Sequence, residues 1–134
     1  MIRLAQTKEH LTVIDDQIGS PTYAHDIAGI ISEVLLSSCT KQYEQEIFHV
    51  SGSNQMSWFD FANEIITTLK AIDIPVISKL VPISSKSFNQ NARRPKYSVL
   101  SNSKLTQRFD YQITPLNVAI LNSINATNLE IGPM

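Results

Sequence analysis

The sequence predicts a small mixed α/β domain, and three observations carry that prediction. Two short β-branched runs, residues 11–14 and 47–50, have strand length and are each followed by a cluster of turn residues. Two long stretches, from Thr22 to about Ser38 and from Trp58 to about Ala71, repeat apolar residues at helical spacing. The two kinds of run alternate along the chain in mixed order, which is the pattern of an α/β or α+β layer architecture.

The chain opens with residues 1–8, where Ile2, Leu4 and Ala5 precede a basic end with no capping residue before them, as in the second half of a helix. The first strand, residues 11–14, runs into Asp15-Asp16-Gln17-Ile18-Gly19-Ser20-Pro21-Thr22-Tyr23. Here Gly19 permits a positive φ, Pro21 holds Ser20 extended, and Thr22 is placed to cap the following helix. That helix carries Tyr23, Ile27, Ile30, Ile31, Val34 and Leu35 on one side and His25, Asp26, Ser32 and Glu33 on the other. Gly29 in its middle costs roughly 1 kcal/mol against alanine, which points to close packing. Residues 37–46 read as a polar loop and 47–50 as the second strand.

Ser57 with Asp60 three residues on is a short capping box for the helix at 58–71, the strongest helical stripe in the chain. Its aromatic start, Trp58 and Phe61, has the spacing of a packed face rather than of a stacking platform. Residues 79–83 form a third strand, with Pro82 tolerable only at an edge. Residues 84–96 turn basic, with Lys86, Arg93, Arg94 and Lys96. Residues 97–100 are extended, Ser101 or Asn102 caps a short helix, and a last helix starts beside Pro115. The domain is expected to span residues 1–125, with 126–134 a disordered tail.

The totals exclude several classes. A length of 134 residues suits one domain, and a formal net charge of −1 argues against general nucleic-acid binding. Cys39 is the lone cysteine, so there is no disulfide framework, and the three histidines lack metal-ligand spacing. No apolar run reaches membrane-spanning length, and the cytoplasm is the expected setting. No Gly-x-Ser-x-Gly elbow, glycine-rich phosphate loop or Tyr-x-x-x-Lys pair occurs. Two features remain. The corner offers backbone N–H groups, the Gln17 amide and the Ser20 and Thr22 hydroxyls at a helix start, where an anion is favoured. The basic run ends in Arg93-Arg94-Pro95, and arginine grips phosphate through a planar fork. Each alone is also compatible with a plain turn and a solvated loop; together they suit a pyrophosphate and a sugar.

Residues 3–5 (Arg-Leu-Ala) and 11–24, through Asp15-Asp16-Gln17-Ile18-Gly19-Ser20-Pro21-Thr22, resemble the C-terminal part of the dTDP-4-dehydrorhamnose reductase family of extended short-chain dehydrogenase/reductases. The likeness continues in order through residues 47–52, 57–62, 92–100 and 103–105. It implies an oxidoreductase that passes hydride from NADPH or NADH to the 4-keto group of dTDP-4-dehydro-L-rhamnose, giving dTDP-L-rhamnose. It further implies that the glycine motif and the catalytic Tyr and Lys belong to an N-terminal Rossmann half missing from this sequence, so that the chain alone is inactive. The dTDP-sugar is then the expected partner, a homodimer and a magnesium requirement are possible, and neither nucleic acid nor membrane is expected. Under this resemblance Gln17, Ser20, Thr22, Arg94 and, after Arg94, Arg93 are the expected substrate contacts; no catalytic, cofactor or metal residue falls in the chain. Two departures stand out: Phe109-Asp110 where the family has Phe-Gly, and no tryptophan near Pro115. A non-catalytic relative, similar to the regulatory subunit of methionine adenosyltransferase, is the alternative, and a fragment without activity of its own is a third reading.

Overall fold

The computed structural model describes residues 1–38, 46–88, 92 and 94–127. A short helix α1 (Ile2–Thr7) leads into strand β1 (His10–Ile14), strand β2 (Ile18–Gly19) and helix α2 (Ala24–Ser38). Strand β3 (Met56–Ser57) adjoins helix α3 (Trp58–Ala71), followed by strand β4 (Lys79–Ile83), helix α4 (Ser103–Arg108) and helix α5 (Leu116–Ala126). The arrangement is the mixed α/β class read from the sequence.

β1 and β4 pair in parallel, with Val13 opposite Pro82, so the proline sits in a two-stranded sheet where each strand is an edge. The ladder continues at both ends, with the Lys79 N–H donating to the Glu9 carbonyl at 2.7 Å and the Asp15 N–H to the Ile83 carbonyl at 3.1 Å. α1 is fastened to this sheet through its fully buried Ala5, whose carbonyl accepts from the N–H groups of Ile77 and Ser78. Ile65, Ile66 and Leu69 of α3 join Ala5, Ile74 and the α5 residues Ile120 and Ile124 in the main core.

The capping box forms as read. The Ser57 hydroxyl accepts from the Asp60 N–H at 3.0 Å, and the Asp60 carboxylate accepts from the Ser57 N–H at 3.2 Å. Asp73, at φ 57°, then ends α3 in the left-handed region, and the Ile74 N–H returns to the Leu69 carbonyl.

A second core holds α2 and α4 together through Ile30, Leu105 and Phe109. Gly29 is explained there: a Cβ at that position would stand 2.5 Å from the Tyr111 hydroxyl oxygen. Burial raises the pKa of that phenol, and the Asp26 carboxylate beside it adds to the effect.

Several sequence expectations need correction. Residues 47–50 form no strand; Phe48 and Val50 pack on the second core, and Asn102 grips both backbone groups of Ser51 (2.9 and 2.6 Å). A β-branched run needs a neighbouring ladder to become a strand, and among the described residues no strand pairs with 47–50; the Asn102 amide holds only Ser51, just after the run. Asn102 is thereby unavailable to cap α4, and the Ser101 hydroxyl accepts from the Ser103 N–H instead. Asp26, read as part of the polar side of α2, is buried, while Ile31 and Leu35 of the apolar stripe are exposed. Its carboxylate accepts from the Thr114 N–H at 3.1 Å and the Thr114 hydroxyl at 2.6 Å. Asp26→Ala is therefore expected to lower stability by about 2 kcal/mol, through donors left unpaired, as read in a urea titration. α5 extends through Ala126, one residue into the expected tail, and residues 128–134 lie outside the described residues, as do 39–45 of the expected polar loop.

Candidate functional site

The corner between β1 and α2 is held at three points. Asp16 comes first: its carboxylate accepts from the Ser85 N–H at 2.8 Å and the Ser85 hydroxyl at 2.9 Å, with Lys96 Nζ 3.8 Å away. The Ser85 backbone donor holds the carboxyl below the ordinary aspartate range; the Ser85 hydroxyl and Lys96 act in the same direction, and partial burial opposes them. A folded value below the unfolded one means that the stabilising contribution is complete at neutral pH and is lost as pH falls through the folded value. Chemical denaturation of the chain and of Asp16→Asn, at neutral and at acid pH, is expected to show that this part of the acid sensitivity disappears in the variant.

Ile18 is the second point. Its N–H donates to the Lys96 carbonyl at 2.8 Å and its carbonyl accepts from the Ser98 N–H at 2.9 Å, while β2 pairs antiparallel with β3. Thr22 is the third. It does not cap α2, which starts at Ala24; its hydroxyl donates to the Ser20 carbonyl at 3.0 Å and accepts from the Gly52 N–H at 3.1 Å. Nor does Gly19 take a positive φ, since it lies in the extended backbone of β2. The corner is thus tied to the turn after Val50 rather than left open as a row of free donors.

Among the described residues, two roomy cavities border it. The larger, about 610 Å³, is lined by Val13, Ile14, Gln17, Trp58, Phe88 and Arg94 among others. Gln17 is 6% exposed, so its amide is a fixed feature of the wall. Arg94 is exposed, and among the described residues no carboxylate pairs with it. The smaller cavity, about 350 Å³, lies between the corner and helices α3 and α5, with Ser20, Thr22, Tyr23, Trp58 and Phe61 among its walls. The expected contacts are therefore divided: Gln17 and Arg94 share one cavity, and Ser20 and Thr22 the other. Arg93 lies outside the described residues.

Trp58 borders both cavities, and sequence reasoning missed it. The aromatic start of α3 was expected to pack as core, yet Trp58 is 51% exposed and meets Phe61 only at a tilted 6.4 Å. The signal was present in its position: as the first residue of α3, directly after the capping serine, it has no preceding helical turn to cover it.

Residues 1–129 match the family model described as the RmlD substrate binding domain. The chain belongs to that family. A dTDP-4-dehydrorhamnose reductase of Burkholderia thailandensis is 32% identical over 127 residues, which cover 90% of this chain and 43% of that protein. The crystal structure of dTDP-4-dehydrorhamnose reductase from Bacillus anthracis, in complex with NADP, matches with a TM-score of 0.79 and 29% identity over 93% of this chain and 41% of that one. A reductase structure from Clostridium acetobutylicum gives a TM-score of 0.78 and 29% identity over 96% and 42%. The chain thus spans about two fifths of the length of the relatives it matches. These relatives carry the reductase name of the resemblance read from the sequence, and they lend no support to the regulatory-subunit alternative. Among the described residues of this RmlD substrate binding domain, no group of three or more His, Cys, Asp or Glu side chains comes together to hold a metal, so the magnesium expectation finds no support here. No helix of the described residues is long and apolar enough to cross a membrane.

Proposed function

We propose that this chain is the substrate-binding portion of a dTDP-4-dehydrorhamnose reductase, with the cytoplasm as its setting. In that reaction a hydride from NADPH or NADH is added to the 4-keto carbon of the dTDP-linked sugar, and the carbonyl oxygen takes up a proton. The nicotinamide supplies the hydride; the residues of this chain bind and orient. The observation that carries the reading is the pairing of Gln17 and Arg94 on one cavity in a chain whose family is a substrate binding domain.

In this reading the Arg94 guanidinium meets the diphosphate, since its fork matches two phosphate oxygens at once. The buried Gln17 amide offers one donor pair and one acceptor at a fixed place, which suits sugar hydroxyls better than a mobile side chain would. Trp58 supplies a flat apolar surface at the rim. Ser20 and Thr22 act from the neighbouring cavity, Thr22 by holding the corner's shape. The Rossmann half, and a homodimer, belong to the same proposal. Reduction therefore requires parts beyond the residues described, and binding is the property to test first. Calorimetric titration of the chain with dTDP and, separately, with inorganic pyrophosphate is expected to show saturable heat with both and tighter binding of dTDP. Absence of heat with either ligand at millimolar concentration would contradict the proposal.

A further inference from the structure

The larger cavity takes walls from two stretches that lie far apart in the chain. Val13, Ile14 and Gln17 belong to β1 and the corner, while Phe88, Ala92 and Arg94 lie between Ser85 and Lys96. Both Ser85 and Lys96 are fastened to one side chain. The Asp16 carboxylate accepts from the N–H and the hydroxyl of Ser85, and the Lys96 ammonium stands 3.8 Å from it. Backbone pairing between β1 and β4 ends with the Asp15 N–H on the Ile83 carbonyl, and beyond that point the carboxylate takes over the connection. The backbone is held at the same two places: the Ser87 N–H returns to the Ser84 carbonyl at 2.9 Å, and the Lys96 carbonyl accepts from the Ile18 N–H at 2.8 Å. Among the described residues, Asp16 is not itself a wall of the cavity.

We infer that Asp16 is a positioning residue for anion binding: by clasping Ser85 and Lys96 it holds Arg94 at a set distance from Gln17. This rests on the proposed function above, in which Arg94 meets the diphosphate. Gln17 follows Asp16 directly and Arg94 is two residues before Lys96, so the clasp lies where the corner and the arginine arm converge. An exposed arginine on a loose arm must be ordered each time an anion binds, and an arm already fastened lowers that cost. A carboxylate that merely stood near the site would act with the opposite sign. Removing a negative charge close to an anion's seat, and releasing Lys96 with it, strengthens anion binding. Loosening the arm weakens it. The direction of the change therefore separates the two roles.

The test is a calorimetric titration with inorganic pyrophosphate of the chain, Asp16→Ala, Arg94→Ala and the double variant. Asp16→Ala is expected to weaken binding about three- to tenfold. The double variant is expected to bind no more weakly than Arg94→Ala, because without the guanidinium there is nothing left to position. Asp16→Asn, whose amide can still serve both Ser85 groups, is expected to recover most of the affinity. Urea melts at neutral pH establish that each variant folds cooperatively. Ser85→Ala keeps the backbone bond and loses only the hydroxyl; it is expected to weaken pyrophosphate about threefold, and it carries the same comparison if Asp16→Ala does not fold. Pyrophosphate binding that is unchanged or tighter in these variants, or losses that add in the double variant, would overturn the inference and leave the diphosphate site standing. Absence of pyrophosphate heat in the unaltered chain would instead overturn the underlying function, and this inference with it.

Discussion

Gly52→Ala is expected to lower the stability of the chain by about 3 kcal/mol, a drop readable in a thermal or urea melt. A Cβ at residue 52 would stand 1.9 Å from the Pro21 carbonyl oxygen and 3.0 Å from the carbon that bears it. Those are backbone atoms, so no rotamer change relieves the overlap; the turn and the corner must separate. Separation breaks the Gly52 N–H bond to the Thr22 hydroxyl and disturbs the walls that Ser20, Pro21 and Thr22 give to the smaller cavity. The same substitution at Gly29 meets only the end of the Tyr111 side chain, which can move, so the smaller loss is expected there. A Gly52→Ala chain as stable as the original would show that the two segments do not approach as described.

Arg94→Ala is the second large effect, and it falls on binding rather than on stability. Arg94 is exposed and unpaired with any described carboxylate, so its removal leaves no buried charge behind and the fold is expected to hold. Loss of a charge-assisted contact to the diphosphate predicts about tenfold weaker binding of dTDP and of pyrophosphate alike. Arg94→Lys is expected to recover part of the loss, since lysine keeps the charge but not the fork. Arg93→Ala is expected to have the lesser effect. Equal and negligible effects of the two alanine variants would remove the phosphate assignment.

What was legible in the sequence was what short-range chemistry decides. The Ser57–Asp60 box, the stripe of α3 and the crowding at Gly29 each depend on residues a few positions apart or on the cost of glycine in a helix. What escaped was decided by partners far along the chain. Asn102 holds Ser51 across 51 positions, and Thr114 draws Asp26 into the interior across 88. Nothing near Val50 or Asp26 announces either partner. The site divides in the same way. The corner and the arginine stand out in the sequence as candidate binding groups, and Gln17 and Arg94 line one cavity, but the split of Ser20 from Gln17 and the exposure of Trp58 arise only when α3 is set beside the corner.

Trp58 also provides the most direct measurement. It is the sole tryptophan of the chain, half-exposed at the border of both cavities. Fluorescence excited at that residue therefore reports on this site and on no other. Titration with a dTDP-linked sugar is expected to change the emission along a saturable curve, and excess inorganic pyrophosphate is expected to reverse it by taking the Arg94 contact. Emission that stays unchanged through millimolar dTDP-sugar, in a chain that still melts cooperatively, would contradict the placement of the nucleotide sugar beside Trp58.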